Sequence, residues 1–255
     1  KEDQLGEVLV CEGDLNLRLE SGETHTTYKL DPRRTVYVTL SGLRNFRPGT
    51  LELAAADSET HLRKLVMVDG NGFKLELEVE VSVRPTRAHV FYAPFWLINR
   101  TNVPLLYQVG SRPLAGMGLV PYAVEAHEPA RGRVGDARAA ASTAMMCSSN
   151  KLCVRTPTGL ASGAFQFDTI GSTGVAEFVD PAPARLYSVK VACYLGTGAY
   201  ARTKMVTFCP HHVLVNQLAG RTVVVAQAGT DGRAFRLPPG AQRSFHWWLP
   251  RADRS

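Results

Sequence analysis

Val66-Met67-Val68-Asp69-Gly70-Asn71-Gly72-Phe73-Lys74-Leu75-Glu76-Leu77-Glu78-Val79-Glu80-Val81 carries the pattern that decides the fold. Leu75, Leu77, Val79 and Val81 alternate with Lys74, Glu76, Glu78 and Glu80. Successive side chains of an extended strand point to opposite faces, so this run presents one apolar and one charged face. Asp69-Gly70-Asn71-Gly72 separates it from Val66-Met67-Val68, and Gly and Asn tolerate the positive φ that hairpin turns need. An antiparallel hairpin, buried on one side, is the expectation.

The same alternation spreads outward. It recurs at Leu15, Leu17 and Leu19, and again at Val36, Val38 and Leu40. Ser21-Gly22 and Asp231-Gly232 supply further turns. It returns at Lys151-Leu152-Cys153-Val154, at Gly163-Ala164-Phe165-Gln166-Phe167, and from Leu186 to Leu195. No run of ten or more residues shows the three-and-four spacing of an amphipathic helix between capping residues, so helices should be few and short. The expected fold is all-β, built of antiparallel β-sandwiches. A chain of 255 residues can bury a sizeable core and has room for more than one such unit. Between Gly110 and Met146 the alternation gives way to Gly, Ala, Pro and Arg, as in Ala130-Arg131-Gly132-Arg133. This segment, at about 110–146, is expected to be a flexible insertion, cut first by proteases at Arg112, Arg131, Arg133 or Arg138.

Bulk properties narrow the function classes. Hydrophobic residues make up 45% and charged residues 20%, ordinary for a globular protein. No window approaches the length of apolar sequence that a membrane span needs. Lys1-Glu2-Asp3-Gln4 shows no secretory signal, and the five cysteines are odd in number and never spaced Cys-x-x-Cys. A reducing, cytosolic setting within a larger protein is expected. The net charge of +6, from 29 Lys+Arg against 23 Asp+Glu, suits a basic surface. No basic block interleaves with aromatics in a nucleic-acid pattern, so no nucleic-acid partner is expected.

Catalytic and cofactor signatures are weak. Gly196-Thr197-Gly198-Ala199-Tyr200-Ala201 nominally fits a dinucleotide fingerprint, whose logic requires a helix to follow and hold the pyrophosphate. Met205-Val206-Thr207-Phe208 follows instead, another strand pattern, so the glycines are expected in a tight turn. Cys209, His211 and His212 form the one compact Cys/His group, with no second ligand pair at zinc spacing. No nucleophile elbow is present, and Ser, His and Asp fall in no arrangement that points to chemistry. The expectation is a non-enzyme with no cofactor and no metal.

Two segments repeat one another: Arg87 to Gln108, centred on Trp96-Leu97-Ile98-Asn99, and Arg202 to Gln227, centred on Val213-Leu214-Val215-Asn216. Each runs from an alternating strand through an apolar stretch with a proline (Pro94, Pro210) to an aliphatic strand ending in asparagine. A polar turn, a second aliphatic run and a glutamine follow. The asparagines lie 216 − 99 = 117 residues apart, about the size of a small sandwich. The expected divisions are a partial repeat over 1–92, a repeat with the insertion over 93–208, and the beginning of a further one over 209–255. An asparagine amide offers one acceptor and two donors, so Asn99 and Asn216 can brace their own turn or pair with an incoming peptide backbone. Asn99-Arg100-Thr101 is also a glycosylation sequon, which the missing signal argues against.

These segments resemble the adaptor-binding repeats, also called the SHR-binding domain, of the vacuolar protein sorting 13 family of bridge-like lipid transfer proteins. The resemblance lies in the order of residues. Tyr92-Ala93-Pro94-Phe95-Trp96-Leu97-Ile98-Asn99-Arg100-Thr101 looks like the family's tyrosine-x-proline-aromatic-tryptophan stretch and asparagine-basic-threonine turn. Gly171-Ser172-Thr173-Gly174, Thr203-Lys204-Met205-Val206-Thr207-Phe208, Leu237-Pro238-Pro239-Gly240 and Phe245-His246-Trp247 look like further parts of it. Together they cover most of residues 75–110 and 150–248. The resemblance implies tandem β-sandwich repeats that bind Pro-x-Pro motifs of organelle adaptor proteins. The parent lipid transfer protein would thereby be recruited to membrane contact sites, cytoplasmic and attached to membrane only through its adaptors. It implies Asn99 and Asn216 as peptide-binding residues. The chain departs from the family in its long insertion, and in Gln217-Leu218-Ala219-Gly220 after Asn216, where a basic residue and threonine are typical. A spacer array without a peptide ligand is the rival expectation, and a secreted lectin-like sandwich a third.

Overall fold

The computed structural model describes residues 8–20, 23–31, 33–41, 46–53, 61–70, 74–82, 87–109, 141–145, 151–182, 184–230 and 233–249. The first part contains β1 (Val8–Glu12), β2 (Leu15–Leu19), β3 (Thr35–Leu40), β4 (Phe46–Arg47), β5 (Gly49–Glu52), β6 (His61–Asp69), β7 (Lys74–Ser82) and β8 (Ala88–Tyr92). β6 and β7 form the expected antiparallel pair, with Leu65 opposite Leu77 and Arg63 opposite Val79. Leu65, Met67, Leu77, Val79 and Val81 turn inward and are almost fully buried. One outward residue departs from the simple alternation: Glu76 is buried, and its carboxylate lies 3.6 Å from Lys64 Nζ.

β6 and β7 belong to a sheet of order β4-β6-β7-β8, and a second sheet has the order β2-β1-β3-β5. Val10, Val36, Val38, Leu40 and Leu51 from one sheet and the inward row of the other make a single apolar cluster, running from Val10 to Ala93. Two alternating faces closed on each other are what the period-two pattern requires. Gly49 sits where the two sheets approach: a Cβ there would lie 2.8 Å from Leu65 Cδ1.

The middle part contains β9 (Phe95–Asn99), β10 (Leu106–Val109), β11 (Ala141–Met145), β12 (Lys151–Arg155), β13 (Phe165–Gln166), β14 (Thr173–Asp180), β15 (Arg185–Leu195) and β16 (Lys204–Pro210). One sheet follows the order β11-β9-β16-β15-β14, the other β10-β12-β13. Phe95, Leu97, Phe178, Val189, Val191, Val206 and Phe208 pack against Leu152, Val154 and Phe167, with the Phe95 and Phe167 rings edge-on at 4.8 Å. This cluster spans Phe95 to Phe208.

Two features depart from the sequence reading. β9 and β16 run parallel, Phe95 opposite Lys204 and Asn99 opposite Phe208, so the pairing is not antiparallel throughout. The chain between them passes through the opposite sheet before returning, the crossover that parallel neighbours require. The last residues of the predicted insertion are also structured: Ala141–Met145 pairs antiparallel with β9, Ala141 facing Asn99. A strand edge is completed by backbone hydrogen bonds, which need no alternation of side chains, so the small residues here left no pattern. Residues 110–140, with Arg112, Arg131, Arg133 and Arg138, lie outside the described residues.

The last part contains β17 (His212–Val215), β18 (Val223–Ala226), β19 (Ala234–Leu237), β20 (Gln242–Phe245) and β21 (Trp247–Trp248). β17 pairs with β20, β18 with β19, and β21 with β15, where Arg185 faces Trp248. The glycine-rich stretch from Gly196 is a tight connection between β15 and β16 holding one 3-10 turn, Gly198–Tyr200, the only helical element among the described residues. A strand follows it, as the sequence pattern implied.

Candidate functional site: two asparagine turns

Asn99 ends β9, and Asn216 follows directly on β17. Each side-chain carbonyl accepts the backbone N–H two residues on, Thr101 N at 3.0 Å and Leu218 N at 3.0 Å. This is the Asx turn that a short amide-bearing side chain forms. Each Nδ2 then reaches forward to a carbonyl, Val103 O at 2.8 Å from Asn99 and Arg221 O at 2.8 Å from Asn216. The residue before that acceptor is left-handed in both turns, Asn102 at φ 58° and Gly220 at φ 68°. The two sequence segments thus fold into the same device, with one extra residue in the second.

The remaining hydrogen-bonding capacity is spent differently. Asn216 is 3% exposed and gives its second Nδ2 hydrogen to Leu237 O at 2.8 Å, tying the turn to the end of β19. Its backbone joins in: Gly240 N donates to Asn216 O at 2.8 Å, and Asn216 N to Ala241 O at 2.9 Å. At Asn99 a second side chain takes part. Thr101, fully buried, donates its hydroxyl to Asn99 Oδ1 at 2.7 Å and lies 3.1 Å from Val103 O. The threonine at the position of Leu218 thus has a structural job in the first turn, whereas the second turn is held instead by the Asn216 amide donating to Leu237 O. Both asparagines brace their own turns, and the Asn216 amide has both donors engaged.

The strands that carry them stand in different surroundings. β9 is flanked by β11 and β16 and buried on both faces, with Trp96 against the Tyr200 ring at 5.5 Å. Among the described residues β17 has one partner, β20, and Val213 and Val215 are exposed, Val215 to 50%. Near its start lies an aromatic group: Trp247, 41% exposed, makes edge contacts with Phe245 at 5.0 Å and His212 at 5.9 Å.

Sequence reasoning missed the partners that hold this end together. The Gln227 side chain clamps β21, accepting Trp248 N at 2.7 Å and donating to Trp248 O at 3.0 Å. The glutamine was visible as the last residue of the repeat, but its partner lies 21 residues away. His246 is 4% exposed, its ring tilted against that of Tyr187 with centroids 4.7 Å apart, and neither ring nitrogen has a hydrogen-bond partner among the described residues. Burial, reinforced by Arg185 and His212, pulls its pKa down to about 4.

Other polar groups serve architecture. Asp180 is buried and accepts Thr156 Oγ1 at 2.5 Å, Thr158 Oγ1 at 2.8 Å and Ala182 N at 3.2 Å. Burial alone would raise its pKa, but these donors outweigh it and hold the carboxyl below its ordinary range. His211 and His212 stack at 4.4 Å, and His211 Nδ1 pairs with Ser188 Oγ at 2.9 Å. Among the described residues no three His, Cys, Asp or Glu side chains are grouped to hold a metal ion.

A family model described as vacuolar-sorting associated protein 13, adaptor binding domain, matches residues 11–254. The chain is 24% identical to the human intermembrane lipid transfer protein VPS13D, over 96% of this chain and 6% of that protein. It is 19% identical to the intermembrane lipid transfer protein vps13D of Dictyostelium discoideum, over 94% of this chain and 7% of that protein. The chain thus spans a small fraction of the length of these relatives.

Proposed function

This chain belongs to the family of vacuolar-sorting associated protein 13 adaptor-binding domains, and we propose that it binds Pro-x-Pro-type motifs of organelle adaptors. Through them it brings a bridge-like lipid transfer protein to membrane contact sites. The observation that carries the peptide reading is strand β17, which has one partner among the described residues, bears the exposed Val213 and Val215 and lies near the exposed Trp247. An extended peptide can add to such an edge through backbone hydrogen bonds, while proline rings, already fixed in φ, rest on apolar and aromatic surface at little entropic cost. In this reading Asn216 and Asn99 are positioning residues, holding the turn at the end of each strand. The module is non-catalytic, cytoplasmic, and joined to membrane only through its adaptors. Among the described residues no helix is long and apolar enough to cross a membrane. The proposed partial repeat over 1–92 and the repeat over 93–208 find support in apolar clusters that run from Val10 to Ala93 and from Phe95 to Phe208, and 209–255 is proposed as the beginning of a further repeat.

One observation favours the rival reading of a structural spacer: both asparagine amides bond within the chain, Asn216 with both of its donors. Fluorescence polarisation with a short labelled Pro-x-Pro peptide separates the two. Binding to the full chain is expected, weakened about tenfold by Val213→Asp or Val215→Asp with the melting temperature unchanged, because both valines are exposed. At least one of Asn99→Ala and Asn216→Ala should stay folded and lose the peptide. A peptide that never binds, or binds all variants alike, leaves the spacer reading in place.

A further inference from the structure

Arg185, Arg233 and Arg243 gather on two aromatic rings beside β21. Arg185 Cζ lies 3.8 Å and Arg233 Cζ 4.5 Å from the centre of the Trp248 ring, and Arg243 Cζ lies 4.6 Å from that of Phe235. Trp248 is held in place, since its backbone is gripped by Gln227 and its strand is paired with β15. Aromatic faces attract guanidinium groups, but they leave the N–H forks without acceptors. Among the described residues none of the three makes an ion pair with a carboxylate, and Arg233 Nη1 is buried without a hydrogen-bond partner. The positive charges are felt at Arg185, whose pKa is lowered by burial first and, against the opposing effect of Tyr187, by Arg243 and Arg233. A preorganised group of cations that has no carboxylate partner among the described residues is complementary to an oxyanion brought from outside.

We propose that Arg185, Arg233 and Arg243 form the binding site for an acidic segment of a protein partner, whose carboxylates the three guanidiniums receive. Arg185 and Arg233 are half-buried and laid on a ring, whereas side chains that engage a lipid surface project from it. The neighbouring group of Trp247, Phe245 and His212, with Trp247 exposed and its ring edge-on to the other two, offers aromatic surface against which an extended peptide can rest. The proposal rests on the adaptor reading for the kind of partner alone and adds an acidic determinant to it.

The full chain is titrated with labelled hexaglutamate, which contains no proline, with hexaglutamine as the uncharged control. Hexaglutamate is expected to bind, less tightly as salt rises, and about fivefold or more weakly to Arg233→Gln and Arg243→Gln. Arg236→Gln, an exposed arginine of β19 outside the group, should bind as the parent does. Arg243 is itself exposed, so Arg243→Gln remains decisive if Arg233→Gln disturbs packing on Trp248. Equal binding of hexaglutamate and hexaglutamine, or an equal loss in Arg236→Gln, overturns the proposal. So does capture by phosphatidylcholine vesicles containing phosphatidylserine when hexaglutamate stays free. An uncharged Pro-x-Pro peptide probes the earlier reading separately: hexaglutamate binding without it upholds this site and removes that one, and the converse overturns this site.

Discussion

The turn at Asn99 and the turn at Asn216 share an Asx bond, a forward bond from Nδ2 and a left-handed residue before the acceptor, yet they differ in how much depends on the amide. At Asn99 the Thr101 hydroxyl contacts the same carbonyl, so Val103 O has a second donor at hand. At Asn216 the amide serves both Arg221 O and Leu237 O and ties the turn to a strand. The first turn closes a strand enclosed by neighbours on both sides, and the second a strand with one neighbour among the described residues. A repeated sequence motif has thus kept its local geometry while its share of the tertiary structure shifted from side chain to side chain.

The comparison is broken most directly at Asn216. Asn216→Ala strands two carbonyls beside a buried site and should lower stability by about 3 kcal/mol, read from the urea midpoint at constant slope. A loss no greater than that of Asn99→Ala would show that the extra bond to Leu237 carries no weight.

His246 tests the same end of the molecule by pH. Its folded pKa, about 4, lies below the ordinary value of 6.5, so the unfolded chain takes up the proton first as pH falls. Stability should therefore be flat above pH 6.5, fall by up to about 1.4 kcal/mol per pH unit as pH drops toward 4, and level off below it, so far as this group is concerned. His246→Phe should remove that part of the slope, and a slope unaltered by the substitution would assign it to other groups.

Smaller effects sharpen the contrast. Asn99→Ala should cost about 1 kcal/mol, because Thr101 Oγ1 can still serve Val103 O, and melt within a few degrees of the parent in calorimetry. A larger drop would mean that the hydroxyl cannot take over. At the left-handed positions, Gly220→Ala should lose about 1 kcal/mol and Asn102→Gly change stability by no more than a few tenths, since glycine adopts positive φ freely and asparagine nearly so. Equal and opposite shifts at the two sites would mean that Asn102 is strained.

Much of this was legible in the residues alone. Alternation from Leu75 to Val81 carried the β6–β7 hairpin and its buried row, because the two faces of a strand are a property of consecutive side chains. The order Trp96-Leu97-Ile98-Asn99 and its echo at Val213-Leu214-Val215-Asn216 located both turns, and the Asx bond within each follows from spacing along the chain. The family could be recognised for the same reason, since it is written in local residue order. What only the tertiary structure decided is which backbone edges meet and which distant groups converge: the parallel pairing of β9 with β16, the strand at Ala141–Met145, the bond from Asn216 to Leu237 O and the arginines on Trp248. Backbone hydrogen bonds are the same for every residue except proline. An edge pairing therefore leaves no mark on side-chain composition, and groups brought together from distant parts of the chain carry no spacing that a linear pattern could show.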